Sequence, residues 1–86
     1  MKRIVEETEI SGLEALLGEQ VLLMCANYFY AGKLVGVNTS CVELSDAAIV
    51  YETGPWTEKG YKDSQKLSTK KWYVATAAIE SYGVGK

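Results

Sequence analysis

The stretch Tyr30-Ala-Gly32-Lys-Leu34-Val-Gly36, followed shortly afterwards by Leu44-Ser-Asp46-Ala47, decides the fold. Because side chains alternate between the two faces of a strand, Tyr30 and Leu34 share a face, and Gly32 lies between them without a Cβ. A glycine in the middle of a strand permits the sharp bend that a small barrel needs. The first segment therefore predicts a strongly bent strand, and the second predicts a turn.

With 86 residues, the chain has room for one domain, residues 1–86. Hydrophobic residues make up 48% of it and charged residues 23%, as in ordinary globular proteins. A domain of this size buries a limited core, so we expect further burial from association between copies. Cys25 and Cys41 lie in apolar, strand-like runs, which favours buried free thiols over a disulfide or a redox pair.

Charged residues are unevenly distributed along the chain. Acidic residues predominate up to residue 54, whereas five of the nine Lys and Arg residues fall within 55–72. The net charge of −2 argues mildly against nucleic acid as a partner of the whole surface. The lysine-rich segment alone is basic enough to contact phosphates.

Apolar periodicity predicts one short helix and five strands. Ser11 and Glu14 have the spacing of a capping box and Gly18 supplies a stop signal, which together predict a helix over about residues 12–17. We expect the strands at 19–26, 28–37, 41–45, 47–53 and 70–82. Residues 54–69 are polar and rich in turn formers, which is typical of a long loop or an extended hairpin.

The sequence shows no recognisable catalytic or metal-binding motif. It contains no histidine, no nucleophile-elbow or phosphate-loop pattern and no metal-ligand spacing, so we expect neither an enzyme nor a cofactor. No apolar run is long enough to span a membrane, and the N-terminal residues lack the apolar region of a signal peptide. The expectation is a cytoplasmic protein that does not associate with membranes.

These patterns resemble the Sm-like family. Its first motif combines an apolar first strand, aromatic-x-Gly-x-Leu in the second strand and Leu-x-Asp/Asn-Ala at a later turn. The matching positions fall within about residues 11–54 and are Val21, Leu23, Cys25, Tyr30, Gly32, Leu34, Gly36, Leu44, Asp46 and Ala47. The resemblance implies a mostly β fold, an SH3-type five-stranded, strongly bent antiparallel open barrel with a short N-terminal helix.

The resemblance also implies a homo-oligomeric ring in which strand four of one copy pairs with strand five of the next. Such pairing satisfies the open edges of the barrel and adds the burial that a small domain lacks. By this analogy the contact runs from 47–51 and 71–75 of one copy to 78–82 of its neighbour. The expected interface residues are Ile49, Tyr51, Trp72, Val74, Ile79 and Tyr82.

RNA-binding members of the family hold bases with an aspartate and an asparagine after strand two and an Arg-Gly pair before strand five. Asn38 and Cys41 stand at the first two positions here, and Ala75 and Thr76 stand at the pair. Cys41 cannot offer an amide to a base edge, and Ala75 cannot stack a guanidinium on a base. Hydrogen-bonding groups remain at Asn38, Thr39, Ser40 and Thr76.

A second candidate surface lies in the lysine-rich segment, where Trp and Tyr side chains interleave with lysines. Lys70 and Lys71 are its candidate phosphate contacts, although a solvated hairpin with Trp72 or Tyr73 packed inward is the simpler explanation of the pattern. Two hypotheses stay open. The first is an Sm-like ring that binds single-stranded RNA through an atypical pocket, and the second is a ring that serves as a structural or protein-interaction module without RNA.

Overall fold

Six antiparallel strands and two short helices make up this computed structural model, which describes residues 12–67 and 71–86. The elements are a 3-10 helix Gly12–Leu16, β1 Gln20–Cys25, β2 Phe29–Val37, β3 Cys41–Glu52, β4 Asp63–Lys66, β5 Lys71–Ala75, a 3-10 helix Thr76–Ala78 and β6 Ile79–Val84. The mostly β, antiparallel class predicted from sequence is confirmed. The strands form one open sheet with six members where five were expected.

The sheet is ordered β4-β3-β2-β1-β6, and β5 joins it beside β3. β2 pairs with β3 along most of its length, from Val37 opposite Val42 to Phe29 opposite Val50. The other side of β3 is shared, since its first half pairs with β5 and its second half with β4. β4/β5 and β6 therefore form the two margins of the sheet.

Gly32 lies against a bulge in β3. The β2–β3 register shifts between Ala31 and Lys33, and Asp46 opposite this point has a positive φ of 52°. A Cβ on Gly32 would lie 3.1 Å from the carbonyl oxygen of Ser45 and 3.2 Å from Cα of Ala47. Segments 30–36 and 44–47, from which the fold was predicted, are thus in direct contact. Only glycine at position 32 leaves room for that contact.

The structure corrects two of the predicted element boundaries. Strands 41–45 and 47–53 are one strand, because the expected turn at Ser45-Asp46 is a bulge within continuous pairing. The polar segment 54–69, described to residue 67, takes the hairpin form of its two predicted alternatives: it contains β4, which pairs with the second half of β3 and is followed by a hydrogen bond from Leu67 N to Ala47 O at 2.9 Å. The expected strand 70–82 is divided by Thr76–Ala78 into β5 and β6.

Helical content is small. The predicted helix at 12–17 is a five-residue 3-10 helix, and its Leu13 and Leu16 pack against the core. No helix within residues 12–67 and 71–86 is long and apolar enough to cross a membrane.

Both faces of the sheet carry apolar clusters. The main cluster consists of Val21, Leu23, Cys25, Leu34, Val42, Leu44, Ala47 and Val74. A smaller cluster of Leu22, Ala31 and Val50 is flanked by Met24, Phe29 and Tyr61. Because consecutive residues point to opposite faces, β1 contributes to both clusters, which explains why this strand is apolar throughout.

The two margins of the sheet are joined by a very short connection. β5 lies at one margin and β6 at the other, yet only Thr76–Ala78 separates them in sequence. Since an extended chain spans at most about 3.6 Å per residue, Ala75 and Ile79 lie within about 14 Å of each other. The sheet must therefore curl until its two margins approach each other. Among the described residues, no hydrogen-bonded pairing between β5 and β6 closes it into a barrel.

Replacing Gly32 with alanine tests the contact with the β3 bulge. The added methyl meets backbone that cannot move independently, so Gly32→Ala should lower the free energy of unfolding by about 1–3 kcal/mol. Gly83→Ala is the matched control, since Gly83 is also a strand glycine and a Cβ there meets nothing within 4 Å. Urea denaturation should give the control a change within about 0.5 kcal/mol. Equal losses for both variants would refute the close-contact explanation.

Candidate functional site

The loop between β2 and β3 is held in shape by the side chain of Asn38. Its Oδ1 accepts hydrogen bonds from the backbone N–H of Ser40 at 2.8 Å, the backbone N–H of Cys41 at 2.9 Å and the hydroxyl of Ser40 at 3.0 Å. The backbone N–H of Asn38 donates to the carbonyl oxygen of Cys41 at 3.0 Å. Asparagine favours such turns because its short side chain reaches the backbone two or three residues further along.

Thr76 joins this loop to the turn between β5 and β6. Its backbone N–H donates to the carbonyl oxygen of Ser40 at 3.0 Å, and its hydroxyl donates to the carbonyl oxygen of Thr39 at 3.1 Å. The structure thus brings together four of the predicted nucleic-acid-binding residues. We call Asn38, Thr39, Ser40 and Thr76 the loop cluster.

The loop cluster is a neutral, largely self-satisfied set of polar groups. Within the described part of the chain, no hydrogen bond uses Nδ2 of Asn38 or the hydroxyl of Thr39, so these groups can donate to a base or phosphate oxygen. Cys41 and Ala75 face each other across β3 and β5, and neither adds a hydrogen-bonding group for a base. No three Cys, Asp or Glu side chains among the described residues are placed to hold a metal ion.

Lys71 lies apart from the loop cluster. It pairs with Ser45 at the start of β5, whereas Ala75 at the other end of that strand adjoins the cluster. Four residues of strand span about 13 Å, so a ligand would have to extend along β5 to contact both places. Lys70, the other predicted phosphate contact, lies outside the described residues.

The expected strand contact through 47–51 must be corrected. Ile49 lies opposite Tyr30 of β2 and also opposite Gln65 of β4, so this half of β3 is paired on both sides and offers no free backbone edge. The side chain of Tyr51 is exposed, and its ring contacts that of Tyr28 edge-on at a centroid distance of 6.1 Å. Any role of Tyr51 between copies would come from its side chain alone.

The other predicted interface residues lie on the strands at the two margins. Val74 is 5% exposed and belongs to the main core, where its partner is Val42, so its side chain is committed within one copy. Trp72 and Ile79 are partly buried against the same core, whereas Tyr82 is exposed. Trp72 and Val74 lie on β5 and Ile79 and Tyr82 lie on β6, and their contact with another copy stays a prediction.

The sequence interpretation did not single out a cavity of about 270 Å³ near the ends of β1 and β5. Aromatic side chains surround it, and its lining includes Tyr28, Tyr30, Trp72, Tyr73 and Cys25. The usable signal was the pair Tyr28 and Tyr30, two residues apart at the start of β2, of which the sequence pattern used only Tyr30.

Two of the side chains that line this cavity, Cys25 and Tyr30, have raised pKa values. Burial raises the pKa of Tyr30 above its ordinary value, with smaller contributions from Cys25 and Tyr28. Burial, and secondarily the negative charge of Glu80, raises the pKa of the Cys25 thiol. Both groups therefore hold their protons more tightly than they would in water.

Comparison with known proteins does not supply an identity. A scan of the sequence against protein-family models found no match, and a search of curated proteins found none. The function must therefore be inferred from the residues and the geometry described above.

The raised pKa values predict that stability falls at alkaline pH. The folded state holds the protons of Cys25 and Tyr30 more tightly than the unfolded state, whose groups ionise near pH 9 and pH 10. The free energy of unfolding should therefore be insensitive to these groups below pH 9 and decline as the pH rises further. Tyr30→Phe should show a shallower decline above pH 10 in denaturant titrations. Parallel curves for the parent and Tyr30→Phe would contradict this prediction.

Proposed function

We propose that this chain is an Sm-like subunit that assembles edge to edge into a homo-oligomeric ring. The observation that carries the proposal is that, within residues 12–67 and 71–86, the outer edges of β5 (over residues 72–75) and of β6 pair with no further strand. Unpaired strand edges expose backbone donors and acceptors that another copy can satisfy. The resemblance of residues 11–54 to the family and the curl imposed by Thr76–Ala78 also support it.

Along β5, backbone N–H groups point alternately toward β3 and toward the open side of the strand. Thr76 N donates to Ser40 O in the same register that pairs Val74 with Val42, so the N–H groups of Thr76 and Val74 point toward β3. The N–H groups of Tyr73 and Ala75 then point to the open side. The side chain of Tyr73 is 57% exposed beside that edge.

β6 presents a comparable edge. Gly85 N donates to Gln20 O in the register that pairs Leu22 with Gly83, so Tyr82 and Val84 direct their backbone N–H groups away from β1. Their side chains are 44% and 57% exposed, which leaves apolar surface next to the free edge. β4 differs because its sequence is polar and charged throughout, which discourages pairing. These features favour pairing between β5 and β6 of neighbouring copies.

Substituting proline or threonine for Tyr73 and Tyr82 distinguishes the effect of losing a backbone hydrogen bond from the effect of losing the tyrosine side chain. Tyr73→Pro and Tyr82→Pro each remove one outward N–H, whereas Tyr73→Thr and Tyr82→Thr remove the tyrosine but keep the N–H. Light scattering at micromolar concentration should show an oligomer for the parent and the threonine variants. The proline variants should raise the dissociation constant roughly tenfold or more relative to threonine.

Circular dichroism and thermal unfolding check that the proline variants still fold, since the pairing of β5 with β3 and of β6 with β1 does not use the removed groups. A parent that is monomeric at micromolar concentration refutes the ring. Equal assembly of the proline and threonine variants refutes pairing through these edges.

Single-stranded RNA is the ligand that we propose for such a ring, on the strength of a separate observation. The hydrogen bonds of Thr76 gather the loop cluster in one place, and a ring would repeat it once per copy. Repetition can compensate for a cluster that is neutral and weak in a single copy. The other possibility is a ring that acts as a structural or protein-interaction module without RNA, as the internal use of Asn38 Oδ1 would permit.

Asn38→Asp tests RNA contact without removing the loop brace. Aspartate keeps an oxygen acceptor for the N–H groups of Ser40 and Cys41 but removes the Nδ2 donor and adds a negative charge. Labelled oligo-U and oligo-A should bind the parent more tightly at about 50 mM than at about 200 mM salt. Asn38→Asp should weaken binding about tenfold.

Thr57→Asp is the matched charge control, since Thr57 lies in the lysine-rich segment, the second candidate surface, beyond the other end of β3. It should leave RNA affinity within about twofold of the parent if the loop cluster is where RNA binds. Absence of RNA binding at low salt, with an intact oligomer, would favour the protein-interaction module. Equal weakening by both aspartates would contradict contact at the loop cluster.

A further inference from the structure

Lys86 places its ammonium group inside the loop formed by residues 53–62. Its Nζ donates hydrogen bonds to three carbonyl oxygens, to that of Thr53 and, both at 2.9 Å, to those of Pro55 and Gly60. The same Nζ lies 5.3 Å from the ring centroid of Trp56 and 5.2 Å from that of Tyr61.

This arrangement matches the chemistry of a primary ammonium group. An ammonium carries three N–H donors and no acceptor, and the loop offers three carbonyl acceptors to it. Aromatic faces within about 6 Å attract a cation through their negative π surface. Hydrogen bonds fix the position, and the two rings add attraction for the positive charge.

Contacts that do not involve Lys86 hold the loop in shape. Lys62 N donates to Thr53 O at 3.3 Å, and Glu58 N donates to Pro55 O at 3.1 Å. At the base of the loop, Lys62 and Glu52 form an ion pair at 3.4 Å. The loop therefore has its own closure, independent of Lys86.

The site is accessible from solvent. Trp56 is 56% exposed, and a groove of about 480 Å³ runs beside it, with Thr57, Glu58 and Lys59 among its lining residues. The groove offers aromatic and polar surface next to the ammonium position, with one glutamate and one lysine besides Lys86. A chain segment carrying a lysine could lie there with its side chain in the loop.

We propose that the 53–62 loop is a binding site for a primary alkylammonium group and that Lys86 is its exchangeable internal occupant. The external ligand belongs to the same chemical class, either an unmethylated lysine side chain of a peptide or a free alkylamine. Trimethylation of the amine would retain the attraction of the rings but remove every N–H that the three carbonyls accept. The site therefore discriminates by hydrogen bonding rather than by charge alone.

Variants that lack the Lys86 ammonium leave the 53–62 loop free to bind an added amine, whose affinity can then be measured. Lys86→Ala, and Lys86→Gln as a second variant that keeps a long side chain, should bind Nα-acetyl-lysine methylamide saturably. Binding is read from the indole N–H of Trp56 in ¹H–¹⁵N spectra, with the indole of Trp72 as an internal reference. The parent should bind the probe roughly tenfold more weakly, because its own lysine competes at high effective concentration.

Two further probes define the ligand. The trimethyl-lysine analogue should bind the emptied loop at least about tenfold more weakly than the lysine probe, since it cannot donate hydrogen bonds. n-Butylammonium distinguishes the sources, because equal affinity favours free amines and weaker affinity favours a peptide that also uses the groove. Failure of both primary amines to bind either Lys86 variant would overturn the proposal, as would equal binding of the trimethyl analogue.

Chemical labelling tests the site in the unaltered chain. Acetic anhydride should acetylate Lys86 roughly tenfold more slowly than the exposed Lys59, because the Lys86 amine is engaged by the three carbonyls. Mass spectrometry of the digested protein reads both rates. Equal labelling would contradict occupancy of the loop by Lys86. The carbonyls and rings that hold the ammonium lie outside the β5 and β6 edges and outside the loop cluster, so these measurements test the site separately from ring assembly and RNA binding.

Discussion

The close approach of Gly32 to the β3 bulge is the constraint on which the rest of the structure depends. Because no Cβ separates the two strands, the backbone between Ser45 and Ala47 comes within van der Waals distance of β2, and Asp46 adopts its positive φ. The bulge allows a single long strand to pair with β5 along one half and β4 along the other. This division of β3 sets which edges remain open.

The sequence predicted the elements whose signals are local and missed those that depend on a partner strand. β1 and β2 follow directly from their apolar runs, and their predicted ranges differ from the observed ones by a residue or two. β4 is polar on every residue and gives no strand signal of its own; it forms because β3 offers it a paired edge. The break between β5 and β6 was also missed because it has no local signal: Thr76–Ala78 contains no glycine or proline that would predict a turn.

The candidate sites show the same limit of sequence reasoning. The family pattern placed Asn38 and Thr76 in one site, and the structure does bring them together. It could not show that Asn38 Oδ1 is already used by the loop, because that depends on backbone geometry. The position of Lys86 among three carbonyls and two rings was equally hidden, since its partners lie 25 to 33 residues away in sequence. Long-range side-chain contacts of this kind leave no periodic signature.

The short connection Thr76–Ala78 bears on symmetry. In the proposed assembly the β5 edge of one copy meets the β6 edge of the next, so the two surfaces in each contact are different and the contact is heterologous. Each step then applies the same rotation, which is fixed by the angle that this connection sets between β5 and β6. A rotation that divides a full circle evenly closes the assembly, and any other rotation continues into an open helical filament. The three residues Thr76–Ala78 would therefore determine how many copies come together.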